Sequence, residues 1–115
     1  VNPVARAVAR AKLRSALVDQ KIALYMMQPD EDCVDLMMGL GLTLSVIGTA
    51  TVLQDITPLE LPALKAGLDA CNVLADTGLY NPEHTVAITA ALDAAETINR
   101  ELTADSILKA WELLK

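Results

Sequence analysis

From Cys33 to Leu53 nearly every residue is apolar or small, and Asp35 is the only charge. A stretch of that length and character is a membrane span, a pair of strands or the central helix of a core. The rest of the chain has to be built around it.

The membrane reading has support. Val34–Leu53 is long enough to cross a bilayer, and Gly39, Gly41, Ser45 and Gly48 resemble the small-residue pattern that packs membrane helices. Asp35, three threonines and a serine weaken it. The other segments are amphipathic and need an apolar core, which this one supplies, so a buried central helix is expected. A strand reading also exists: Leu40, Leu42, Leu44 and Val46 alternate with Gly41, Thr43 and Ser45, and Gly48-Thr49 offers a turn. A β-hairpin over residues 40–53, giving an α+β fold, is therefore the alternative. Helix is preferred on length and flanks, and because no second clear strand is present to complete a sheet.

The punctuation around this segment predicts five helices. Asn2-Pro3 opens the first and Gln28-Pro29 closes it near Met27. The second is expected from Glu31 to Leu53, capped by Asp30, with Asp30, Glu31 and Asp32 against the positive end of its dipole. The third begins at the capping-box pattern Thr57-Pro58-Leu59-Glu60 or one turn later at Pro62, and stops at Gly78. Leu61, Leu64, Leu68, Cys71 and Ala75 form its apolar line. Asn81-Pro82 opens the fourth, whose line is His84, Ile88, Ala91, Ala95, Ile98 and Leu102, with alanines implying a close crossing. Thr103 caps the fifth, which carries Ile107, Leu108, Trp111 and Leu114 on one face. Short connections make neighbouring helices antiparallel. The expected fold is one all-α domain over residues 1–115, a compact bundle of about five helices with the second central and buried.

The first helix is apolar twice over. Val4, Val8, Ala11, Val18, Ile22 and Tyr25 follow a heptad spacing interrupted only by Ser15, while Leu13, Leu17 and Leu24 lie on the opposite side among basic residues. Such a helix is sandwiched between neighbours, or lies between its own core and a second subunit. Charge is also uneven. Residues 1–25 hold five basic side chains against Asp19, whereas the remainder holds four basic and fourteen acidic ones, for a net charge of −6. Arg6, Arg10, Arg14 and Lys21 fall within about an 80° sector of the first helix. Such a stripe can track phosphates, but the acidic whole, the scarcity of aromatics and the presence of Leu17 and Leu24 in the sector favour a solvated face, or ion pairs with acidic helices of the same or another subunit.

No catalytic constellation emerges. His84 is the only histidine, and its place on an apolar line at a helix start predicts a neutral structural role. One histidine cannot supply the paired Glu-x-x-His motifs of a di-iron bundle, and the acidic residues from Asp30 to Asp35 lack an EF-hand pattern. Gly39-Leu40-Gly41 lacks the further glycine of a nucleotide fingerprint, and there is no Walker lysine. Neither metal nor cofactor is expected. Cys33 and Cys71 read as buried reduced thiols, with a disulfide between the second and third helices as the alternative. No signal-peptide pattern opens the sequence, which favours a cytoplasmic setting.

These features predict a non-enzymatic protein–protein interaction module, homodimeric, acting as a small adaptor, regulator or inhibitor. Small accessory proteins of bacteria and their mobile elements have a similar composition. Met26, Met27, Met37 and Met38, clustered around the first inter-helix turn, are core packing or, if exposed, an adaptable docking surface. Two alternatives remain: a nucleic-acid-associated regulator using the basic first helix, and a bundle binding a small ligand in a methionine-lined pocket.

Overall fold

The computed structural model describes residues 2–115, and among these the fold is all-helical. Helices α1 (Pro3–Met26), α2 (Val34–Leu53), α3 (Leu61–Thr77), α4 (Thr85–Asn99) and α5 (Ala104–Leu113) are joined by short connections, with one 3-10 turn at Pro82–His84 preceding α4. No strand is present among the described residues; a single antiparallel bridge joins Asp32 to Leu79.

Residues 34–53 form one continuous helix, and the hairpin alternative is excluded. Thr43, which belongs to the strand-like alternation, and Thr51 are both absorbed by the helix itself. Thr43 Oγ1 donates to the Gly39 carbonyl at 3.0 Å and Thr51 Oγ1 to the Ile47 carbonyl at 2.8 Å, so both hydroxyls enter the core with their hydrogen bonds made. Helix α2 packs against all four other helices. It is central but not fully enclosed: Met37, Leu40, Leu44, Val46, Ile47 and Ala50 point into the core, whereas Met38, Leu42 and Val52 are exposed.

The caps follow the local chemistry. Asn2 Oδ1 accepts from the Val4 and Ala5 N–H groups, with Pro3 in the first turn of α1. Thr103 Oγ1 accepts from the Ser106 N–H at the start of α5. Gly78 ends α3 at φ +82°, the left-handed conformation that a Cβ disfavours. Two starts fall later than expected, that of α4, which begins at Thr85 after the 3-10 turn that Asn81 caps, and that of α2. Helix α2 begins three residues later than Glu31, because Asp30 to Cys33 are used elsewhere. The Asp30 N–H donates to the Tyr80 carbonyl, Tyr80 N–H to Glu31 and Cys33 N–H to Gly78, so this segment is tied to the α3–α4 connection. Asp32 Oδ1, not Asp30, accepts from the Val34 N–H. Helix α3 begins at Leu61 with Pro62 in its first turn, the later of its two expected starts.

The tightest crossing is between α3 and α4. A Cβ built on Gly67 would fall 2.1 Å from the Ala91 Cβ, so this crossing requires glycine. By contrast, Cβ atoms on Gly41 and Gly48 would meet only the side-chain tips of Leu68 and Leu64, at 3.9 and 3.7 Å. The small residues of α2 are therefore not where backbones approach most closely.

Candidate functional site

Helix α1 carries two apolar strips, and only one belongs to the core. Ala9, Leu13, Leu17 and Leu24 are buried against the other helices. The regular heptad strip faces the other way. Val4, Val8, Val18, Ile22, Tyr25 and Met26 are all exposed, from 55% at Val18 to 88% at Tyr25. With Ala7, Ala11 and Ser15 they fill about 100° of the helix circumference, and no charge falls inside that sector. The strip runs the length of the helix, about 36 Å at 1.5 Å per residue. Its one hydroxyl already has a local partner, since Ser15 Oγ donates to Asp19 Oδ2 at 3.3 Å.

The charged side chains of α1 explain how its inner face is held. Arg6 pairs with Asp105 of α5 at 3.6 Å. An Arg10 guanidinium nitrogen donates to the Leu102 carbonyl at 2.6 Å, supplying a donor just beyond the C-terminus of α4, where cations are favoured. Lys21 reaches Asp93 and Glu96 of α4 at 3.2 and 3.3 Å, and these carboxylates hold its ammonium above the usual lysine range. Lys12 lies 4.1 Å from the centroid of the Trp111 ring. Trp111 in turn donates its indole N–H to the Ala9 carbonyl at 3.2 Å. Three of the four residues of the expected basic stripe, Arg6, Arg10 and Lys21, thus serve the bundle's own acids and carbonyls. Among the described residues only Arg14 and Asp19 of the α1 charges have no partner outside their own helix.

The methionines divide. Met37 is buried, Met27 packs half-buried on the core, and Met26 and Met38 are exposed, on α1 and α2 respectively. A cleft of about 290 Å³ between α2 and α3 is lined by Leu44, Gly48, Leu61, Leu64 and Leu68, with Leu114 closing it. Another of about 420 Å³ between α1 and α4 is lined by Arg10, Arg14, Glu96, Asn99 and Arg100. Asn99 is 8% exposed, and its Oδ1 is buried without a hydrogen bond among the described residues. Neither cleft contains a methionine.

His84 is half-buried at the end of the 3-10 turn, beside Glu83, and its line continues into the buried Ile88, Ala91, Ala95 and Ile98. Cys33 and Cys71 are free and buried. Burial, and next the nearby Cys33, push the Cys71 thiol up to about 11; burial, and next Asp32, raise Cys33. Among the described residues no three of the His, Cys, Asp and Glu side chains converge as metal ligands would.

The basic stripe expected from the sequence comprises Arg6, Arg10, Arg14 and Lys21, and leaves out Asp19, Lys12 and Asn99. Asp19 was legible as the helix's only acid. The stacking of Lys12 on Trp111 and the burial of Asn99 depend on how α5 and α4 lie against α1, which no local pattern encodes. Comparison with family models, with curated proteins and with solved structures finds no match.

Proposed function

We propose that this protein is a non-enzymatic helical interaction module that self-associates through the outer face of α1. The observation carrying the proposal is the exposure of a charge-free heptad strip along the whole helix, directly opposite the strip that the core uses. A single exposed leucine or valine is ordinary, whereas five large apolar side chains on one heptad line, with only Ala11 and Ser15 between Val8 and Val18, form the pattern that packs against another helix. The fitting occupant is the same face of a second copy. A two-fold dimer sets identical patches against each other, and a strip without charges meets its own copy without like-charge contact. As in other small modules of this kind, the role would be that of an adaptor, regulator or inhibitor, and two buried reduced thiols suit a cytoplasmic setting.

The basic-helix reading has less to draw on, since Arg6, Arg10 and Lys21 are occupied within the chain. Light scattering over a concentration series tests the proposal. Wild type is expected to shift from monomer to dimer mass, and Val18→Asp/Ile22→Asp to stay monomeric while keeping its helical circular dichroism. A wild type that stays monomeric into the millimolar range would overturn it.

A further inference from the structure

Resting on that reading, we infer that the two α1 helices pair parallel, in a register set by Arg14 of each copy against Asp19 of the other. In heptad terms, Val8, Ser15 and Ile22 occupy one core position and Val4, Ala11, Val18 and Tyr25 the other. Arg14 and Asp19 then stand on opposite flanks of the strip, about 140° apart around the helix, too far round to meet within one chain. Among the described residues they are also the two α1 charges with no partner outside their own helix, and they are of opposite sign.

In a parallel pair, a residue on the Arg14 flank faces the residue five positions later on the other helix. Arg14 therefore meets Asp19 of the second copy, twice by symmetry. The remaining flank pairs are Ala7 with Lys12 and Lys21 with Met26, which bring no like charges together. Reversing one helix changes this. Arg14 then lies near Lys21 of the other copy on one flank, and Lys12 near Asp19 on the other. The parallel arrangement satisfies both free charges and creates no repulsion. It also suits the bundle, because the outer strip faces directly away from the buried one, which leaves the two bodies on opposite sides of the helix pair. Ser15 at the middle of the strip keeps its hydrogen bond to Asp19, whose second oxygen stays available to the incoming guanidinium.

Two measurements on the full chain separate the orientations. Single substitutions Arg14→Asp and Asp19→Arg should each weaken dimerisation by roughly three- to tenfold, and the Arg14→Asp/Asp19→Arg double variant should restore it. An antiparallel pair gives the opposite sign for Arg14→Asp, which would then face Lys21 and tighten the dimer. Under mild oxidation Val8→Cys should form a disulfide with its own copy, since the native thiols are buried. Cross-linking only between Val8→Cys and Tyr25→Cys chains, or tightening by Arg14→Asp, would overturn the parallel register and leave self-association intact. A chain that never dimerises would remove both.

Discussion

The indole N–H of Trp111 donates to the carbonyl of Ala9 at 3.2 Å, across 102 positions of sequence, and both residues are buried. This bond fastens α5 to the inner face of α1 at the end of the helix where Arg6 and Lys12 also contact α5. It fixes which side of α1 belongs to the bundle, and so which side is left over.

Removing that anchor is expected to be costly. Trp111→Ala should destabilise the protein by about 3–5 kcal/mol, the range for emptying a buried aromatic site. Trp111→Phe keeps most of the apolar contact and loses only the indole bond, since the Ala9 carbonyl retains its partner within α1, and should cost about 0.5–1.5 kcal/mol. Urea denaturation with unchanged m-values would confirm that stability, not compactness, has changed.

The glycines should separate by place. Gly67→Ala forces a methyl into the Ala91 side chain, and a loss of about 1–3 kcal/mol or more is expected. Gly48→Ala places its methyl at ordinary contact distance from Leu64 inside a helix, and should gain up to about 1 kcal/mol. Paired thermal melts of the two variants check the contrast in sign.

The thiols give a pH dependence. Cys71 is held at about 11 in the fold against an ordinary 9.0, so the unfolded chain loses this proton first as pH rises. The contribution is fully present below about pH 9 and is lost between about pH 9 and 11, with Cys33 acting in the same direction. Denaturation midpoints in this window should fall less steeply for Cys71→Ala than for wild type. In the native protein at neutral pH both thiols should resist iodoacetamide until the chain unfolds.

Much of the fold was legible because its boundaries are local. Asn2, Thr103 and Gly78 act where their side chains or backbone freedom lead one to expect. The acidic run before α2 departs from its local pattern for a non-local reason. Asp30 to Cys33 read as a helix start, but their backbone groups pair with Gly78 and Tyr80, some fifty positions away. The candidate surface was legible in part. Heptad spacing revealed two apolar strips on α1, yet periodicity does not say which one faces inward. The strip with Leu13, Leu17 and Leu24 is less regular and flanked by Arg6, Arg10 and Lys21, but those cations have acids and carbonyls of α4 and α5 to meet, so their stems run along the core's edge. The cleaner pattern was the one left outside.

Methyl-resolved NMR spectra recorded from low to high protein concentration test the central claim most directly. If α1 is the docking surface, the methyl signals of Val4, Val8, Val18 and Ile22 should shift with concentration, while those of Leu42 and Val52 on the open face of α2 stay fixed. Shifts confined to the α2 methyls, or no concentration dependence at all, would contradict the account.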